Sequence, residues 1–149
     1  MKSDYVDRVL AIEWASLKSA YGSAADVGPW LVELTSTDWE KAFHASHMLW
    51  CSLCHQHAFI SPAAEQAFPF LVEIAKRADE RLLVELLDIL CGFALRSEPL
   101  GDGIPVAGEW VRSIRAGLVK EIPWFKSLQT STNSDVISFV SSILATLDA

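Results

Sequence analysis

The chain has 149 residues, a hydrophobic fraction of 51% and a formal net charge of −7 at pH 7. That length is typical of one domain, and the apolar content is sufficient for a core that needs no metal or disulfide. An acidic chain lacks the basic face with which proteins displace counterions from a phosphate backbone, so we expect no nucleic-acid partner.

The sequence also shows no targeting or membrane-spanning pattern. Residues 1–8 lack the basic-then-apolar order of a secretory signal. No apolar run reaches the ~18 residues of a membrane span, since the longest candidate, 82–95, is interrupted by Glu85 and Asp88. We therefore predict a cytoplasmic protein without a membrane partner.

The first predicted element is an amphipathic helix over residues 4–21, with one apolar face turned toward the rest of the chain. That face holds Val6, Val9, Leu10, Trp14 and Leu17. Strand patterns are nearly absent from the whole sequence, so we predict an all-α fold.

The following residues carry a repeat of about forty positions. The hexapeptide PWLVEL at 29–34 recurs as PFLVEI at 69–74, and the same offset of 40 relates Cys51 to Cys91. A third copy begins at Pro123 and ends in an apolar segment. Repeats of this length are typical of stacked helix pairs.

Helix-start patterns support one pair of helices in each copy. The prolines of the repeat are predicted to lie in an opening turn, where a missing N–H costs no hydrogen bond. Thr37 with Glu40 predicts a capping box for the second helix of copy one. Ser61-Pro62 predicts the start of the next helix, and residues 133–135 offer caps for the last one. The segment 96–105, with two glycines and two prolines, interrupts the helices.

The helix pair with a Pro-aromatic-Leu-Val-Glu opening resembles HEAT repeats. Residues 14–27, His55-Gln56 and 67–71 are similar to small bacterial HEAT-like proteins, some of which resemble immunity proteins of toxin systems. The resemblance covers most of residues 14–95 and is looser beyond Gly101. It implies one domain over residues 1–149, a right-handed α-solenoid of about three HEAT-like helix pairs plus an N-terminal helix, which binds proteins through helix faces and edges.

Residues 51–55, CSLCH, match the pattern of c-type haem attachment. Haem attachment requires export, for which no signal is visible. The repeat places Cys91, Ala94 and Leu95 at the equivalent positions, and these are core residue types. We therefore interpret the cysteines as buried thiols that behave as small hydrophobic residues.

A stripe of histidines and cysteines suggests zinc as a second alternative, since it offers His44, His47, Cys51, Cys54, His55 and His57. One helix rarely surrounds an ion with four tetrahedral ligands, and the spacing matches no standard zinc finger. We predict no metal and no cofactor, and expect His55 and Gln56 to cap the carbonyls at the end of their helix.

Catalytic patterns are absent too: the sequence has no nucleophile elbow, phosphate loop or HExxH helix. The GDG at 101–103 is predicted to be a turn. Glu33 and Glu73 are repeat equivalents, about 10 Å apart if helices stack, and no sugar-binding pattern accompanies them. We therefore expect a protein that is not an enzyme.

Six tryptophans are many for this length. Trp14, Trp30 and Trp50 are predicted to pack within or over the core. Trp39 is different, because its repeat equivalent is the surface residue Asp79, and Trp110 lies beside charged residues. Tryptophan near charged groups is typical of protein interfaces.

These observations favour a protein-binding module, specifically an immunity protein that neutralises a cognate, basic toxin by direct binding. A general scaffold or adaptor is the alternative, followed by a metal or haem sensor; the oligomeric state stays open. The predicted binding residues are Glu33, Asp38, Trp39, Glu40, Glu73, Asp79, Glu80, Asp102 and Trp110, with Glu98 and Glu109 as further acidic candidates.

Overall fold

The computed structural model describes residues 2–99 and 108–149, and this part of the chain is mostly α-helical, which confirms the predicted all-α class. The helices are α1 (Lys2–Leu10), α2 (Val27–Glu33), α3 (Trp39–Cys54), α4 (Ala64–Arg77), α5 (Glu80–Arg96), α6 (Glu109–Lys120), α7 (Ile122–Ser127) and α8 (Ser134–Thr146). No helix among these described residues is long and apolar enough to cross a membrane.

The N-terminal helix is shorter than predicted, because it ends at Leu10 rather than near residue 21. A 3-10 turn (Trp14–Ser16) follows, and then two short antiparallel strands, β1 (Lys18–Ser19) and β2 (Gly22–Ser23). Gly22, the first residue of β2, adopts a φ of 111°, which L side chains rarely adopt, and it follows directly on the two-residue turn between the strands. The apolar residues of this segment therefore pack from an irregular turn rather than from a helix face.

Side-chain caps fix the starts of the helices α3, α5 and α8. Asp38 accepts a hydrogen bond from the N–H of Glu40, so the predicted capping box of Thr37 and Glu40 is wrong. Asp79 caps α5 through the N–H of Leu82. Asn133 caps α8 as predicted.

The start of α4 was predicted wrongly. Ser61 is buried and its hydroxyl donates to carbonyls at the end of α3, so it closes a loop instead of capping a helix. The helix begins only at Ala64, which leaves Pro69 inside it rather than in its opening turn. Pro123, by contrast, lies at the start of α7, as predicted.

The helices pack in two rows. In one row α3 contacts α5 and α5 contacts α8; in the other α2 contacts α4 and α4 contacts α6. Helices α3 and α5 run in the same direction, because Trp39 contacts Arg81 near their beginnings and His57 contacts Asp88 further along. One hydrophobic core extends through both rows, and α3, α5 and α8 contribute to it Leu49, Leu53, Leu86, Ile89, Leu90, Phe93, Val140 and Ile143.

A buried tyrosine joins the N-terminal helix to this core. The hydroxyl of Tyr5 is fully buried and donates to the carbonyl of Leu31 at 2.9 Å. Burial raises the pKa of Tyr5 above its ordinary value.

Candidate partner-binding surface

An aromatic row runs along the outward side of α3. It consists of Trp39, Phe43, His47 and Trp50, which are spaced four, four and three residues apart and therefore share one helix face. Ring centroids lie 5.6 Å apart for Trp39 and Phe43, and 5.7 Å apart for His47 and Trp50. Phe43 is 44% exposed and His47 is exposed too, so the middle of the row is open to solvent.

Charged side chains of α5 line the neighbouring edge of this row. The guanidinium of Arg81 lies 4.3 Å from the centroid of the Trp39 ring, within cation–π distance. Glu85 and Asp88 follow on the same face of α5, one and two turns further on. The aromatic row on one helix and these charges on the next form a continuous strip, which we call the α3–α5 surface.

A small cleft of about 100 Å³ opens in the middle of the α3–α5 surface. Its walls come from Phe43, Ser46, His47 and Trp50 on α3 and from Glu85 and Asp88 on α5. Sites for drug-sized ligands or cofactors usually measure about 300–1,000 Å³. The α3–α5 cleft therefore has the size of a single side chain's end group.

The charge in the cleft is only partly compensated. The side chain of Glu85 makes neither a hydrogen bond nor an ion pair with any described residue. Burial raises the pKa of Glu85, and the neighbouring carboxylates of Asp88 and Asp135 raise it further, while His47 lowers it. A half-buried carboxylate without a cation is therefore held beside two others.

Asp88 has a partner on one side of the cleft. The Nε2 of His57 lies 2.7 Å from the Asp88 carboxylate and 2.8 Å from its backbone carbonyl. The hydrogen bond that His57 donates to the Asp88 carboxylate raises the pKa of His57, against the opposing effect of burial. The imidazole packs edge-on against Trp50 at 6.2 Å, so it fixes both an acidic and an aromatic wall of the cleft.

A strained turn brings His57 to this position. Three successive residues after α3, His55, Gln56 and His57, have φ values of 44°, 56° and 70°. Left-handed conformations cost roughly 1–3 kcal/mol for each residue other than glycine and persist only where surrounding contacts enforce them. Here the contacts are the His57–Asp88 pair and a hydrogen bond from Arg96 to the carbonyl of His57.

The predicted binding residues near the starts of α3 and α5 lie close to this surface. Trp39 and Asp79 line a groove of about 470 Å³ together with Arg77 and Arg81. Further carboxylates in the first turns of these helices are exposed to solvent: Asp38, Glu40 and Glu80. The structure thus brings five of the predicted residues to one edge, where Asp38 and Asp79 also serve as helix caps.

The remaining predicted residues lie elsewhere. Glu73 receives two hydrogen bonds from Arg8, at 2.9 and 2.8 Å, which lower the pKa of its carboxyl group. The indole of Trp110 is half-buried and donates to the carbonyl of Ile60 at 3.0 Å, beyond the opposite end of α3 from Trp39. Glu33 ends α2 as a half-buried residue, and Asp102 lies outside the described residues.

The cysteines of the CSLCH segment belong to the core, as predicted. Cys54 is fully buried, its thiol donates to the carbonyl of Trp50, and burial raises its pKa to about 12. Cys51 and Cys91 are free and buried too. Among the described residues, no three His, Cys, Asp or Glu side chains are placed to hold a metal ion. The N–H groups of His55 and Gln56 close α3 on the carbonyl of Trp50, so the backbone makes the cap predicted for these residues.

The sequence interpretation did not select Phe43, Glu85 or Asp88. A usable pattern was present, because Glu85 and Asp88 are acidic residues in an otherwise apolar helix and Phe43 lies one turn from Trp39. A carboxylate within an apolar helix needs either a partner or solvent, and a site is a frequent reason for its presence.

No protein-family model, curated protein or solved structure matches the chain. The likeness to HEAT-like proteins therefore stays a prediction.

Proposed function

We propose that the chain is a HEAT-like, right-handed α-solenoid that binds another protein through the α3–α5 surface and does not act as an enzyme. The proposed partner is a basic toxin of the same cell, which the chain neutralises in the cytoplasm. The observation that carries the proposal is the partly exposed aromatic row of α3 beside the carboxylate of Glu85 on α5, which has no ion pair among the described residues.

The order of helix contacts supports the solenoid. Each of α3, α5 and α8 contacts the next, and α2, α4 and α6 do the same in the second row. In a stack of helix pairs each repeat contacts its neighbours only, and one row presents an extended surface. The α3–α5 surface lies on such a row.

The composition of the surface supports a protein as the ligand. Binding hot spots are enriched in aromatic residues and arginine, and they cluster where the partner excludes water. Trp39, Phe43, Trp50 and Arg81 provide these residue types in one strip. The cleft itself is too small for a cofactor, so it fits a side chain of a larger ligand.

The charge of the chain supports a basic partner. A net charge of −7 attracts a positively charged protein at long range and raises its association rate. The carboxylates of Glu85, Asp88 and Asp135 concentrate this charge around the cleft. A toxin that acts on nucleic acid needs a basic face, and an acidic protein that covers this face would inhibit it.

The test uses the full-length tagged chain as bait in a lysate of its source cells, with two double variants beside it. Phe43→Ala with Glu85→Gln removes an aromatic and a charge from the α3–α5 surface. Phe59→Ala with Glu13→Gln is the matched control, because Phe59 is 46% exposed and Glu13 is also exposed. Captured proteins are quantified by mass spectrometry, and each candidate is expressed with and without the chain.

We expect one near-stoichiometric protein that the wild type and the control capture, and whose affinity falls about 30-fold or more in the surface variant. Its expression alone should arrest growth, and coexpression with the chain should restore it. A partner captured equally by both variants would refute the assignment of the surface. A specific partner that is harmless when expressed alone would refute inhibition of a toxin and favour an adaptor.

A further inference from the structure

The α3–α5 cleft has an aromatic side and an acidic side. Aromatic rings of Phe43 and Trp50 form one side, and the carboxylates of Glu85 and Asp88 form the other. The cleft holds about 100 Å³, enough for several water molecules or for a small planar group. The two walls lie on parallel helices that are packed over a common core, so the geometry is preformed.

We propose that this cleft binds the guanidinium group of an arginine that the protein partner inserts between the aromatic wall of α3 and the carboxylates of α5. The inference rests on the proposed function and names the chemistry by which the partner is anchored.

The environment of the Glu85 carboxylate favours a cation as the ligand of the cleft. This carboxylate is half-buried, lies three residues before Asp88 on the same helix, and is near Asp135 of α8. Like charges at this spacing repel each other, and burial removes the water that would screen them. A cation supplied from outside would neutralise this repulsion, and no lysine, arginine or histidine of the described residues lies within ion-pair distance of Glu85.

The aromatic and acidic walls of the cleft favour a guanidinium over an ammonium group as the ligand. A guanidinium is planar, stacks on aromatic faces and presents several N–H donors to carboxylates at its edge. An ammonium is a compact, strongly hydrated charge that gains less from a flat aromatic wall. Asp88 is already oriented by His57, so its carboxylate is held in place before a ligand arrives.

The chain contains the same arrangement one turn away. The guanidinium of Arg81 lies 4.3 Å from the Trp39 ring centroid, and Asp79 lies 4.0 Å from its Nη2. One turn after Trp39 the aromatic residue on α3 is Phe43, and one turn after Arg81 the charged residue on α5 is Glu85. The next turn therefore keeps the aromatic residue but has a carboxylate in place of the arginine. An arginine from a partner would continue this stack of guanidinium and aromatic groups along the surface.

The test is an NMR titration of the full-length, isotope-labelled chain with N-acetyl-arginine-N-methylamide. The lysine analogue carries an ammonium in place of the guanidinium, so it tests whether any positive charge is sufficient. The citrulline analogue has nearly the same shape as the arginine analogue but no charge. Glu85→Gln is the test variant, and Glu13→Gln is the matched control with the same change of net charge. Signals of Phe43, His47, the Trp50 indole and Glu85 report on the cleft, and the titration extends to about 50 mM because one side chain is expected to bind with a millimolar Kd.

We expect saturable shifts confined to the cleft, with binding at least about 3-fold tighter for the arginine than for the lysine analogue and none for citrulline. Glu85→Gln should weaken binding about 5-fold or more, and Glu13→Gln less than about 2-fold. Three results would overturn the proposal: no saturable shift, equal binding of the lysine analogue, or shifts spread over all acidic residues. If the cleft fails this test while the surface variant still loses a captured partner, the proposed function stands and only the arginine anchor is refuted.

Discussion

The rigidity of the cleft can be tested by adding one methyl group behind it. Gly92 lies within α5, and a β-carbon at this position would lie 2.6 Å from Cδ2 of His57 and 3.2 Å from Sγ of Cys54. Contacts below 3.0 Å force a shift. The imidazole cannot move away freely, because Asp88 holds its Nε2 at 2.7 Å and Trp50 packs on its ring. Gly92→Ala is therefore expected to displace His57 from Asp88.

Two opposing effects determine how much Gly92→Ala changes the free energy of unfolding. Replacing glycine by alanine inside a helix stabilises it by about 1 kcal/mol. Overpacking of a filled site costs about 1–3 kcal/mol, and the weakened, partly exposed His57–Asp88 pair costs up to about 1 kcal/mol more. The sum of these contributions is a net loss of about 0–3 kcal/mol, and we expect Gly92→Ala to lower the free energy of unfolding by about 1.5 kcal/mol, the middle of this range. For a chain of this size this corresponds to a fall in Tm of about 3–6 °C.

A double-mutant cycle in urea denaturation separates the two effects. His57→Gly removes the imidazole and suits the φ of 70° at this position. In that background Gly92→Ala should be neutral or stabilising by up to about 1 kcal/mol, which gives a coupling of about 1.5 kcal/mol or more. If Gly92→Ala alone is neutral or stabilising, the imidazole yields easily, and the reasoning that His57 fixes the walls of the cleft is refuted.

Four further predictions follow from individual contacts. Tyr5→Phe removes the buried hydrogen bond to Leu31 and should cost about 1 kcal/mol in urea denaturation, whereas an unchanged stability would contradict its role as an anchor. Asp88 raises the pKa of His57 above its ordinary 6.5, so the stability lost in His57→Gly should be greatest below pH 6.5. The loss should shrink as the pH rises through the raised pKa of His57. A difference in unfolding free energy between wild type and variant that stays constant up to about pH 9 would exclude the ion pair. The pKa of Glu85 is raised above 4.5, so Glu85→Gln should stabilise the chain by about 0.5 kcal/mol at pH 7 and not at pH 3.5, as measured by thermal unfolding at both values. Association with the partner, once captured, should slow steeply as salt rises in stopped-flow measurements, and a salt-independent rate would refute charge steering.

The helices that the sequence predicts best are those with strong apolar patterns and local caps. Asn133 was recognisable because its cap is a contact within three residues. The start of α4 was not, because Ser61 and Pro62 have the local pattern of a helix start while the end of α3 takes the Ser61 hydroxyl. Such competition between local and distant partners is not visible in a sequence window.

The same limit applies to the candidate surface. The acidic first turns of α3 and α5 were predictable as a group, because a repeat of 40 residues places equivalent positions on one edge. Glu73 has an equivalent position in the repeat too, but Arg8 of the N-terminal helix pairs with it across 65 residues. Which repeat-equivalent carboxylate is free for a partner thus depends on a residue outside the repeat.

The strained turn after α3 connects the core to the candidate surface. The sequence suggested haem or zinc for residues 51–57, because cysteines and histidines are dense there. The structure separates them: Cys54 points into the core, and His57 reaches Asp88 through three left-handed residues. A left-handed turn without glycine is costly, and loops are usually free to avoid it. The contacts of His57 and Arg96 offset the conformational cost of this turn and hold one imidazole beside the cleft. The turn therefore places one imidazole where it orients Asp88 and packs against Trp50, two of the residues that line the cleft proposed to bind an arginine.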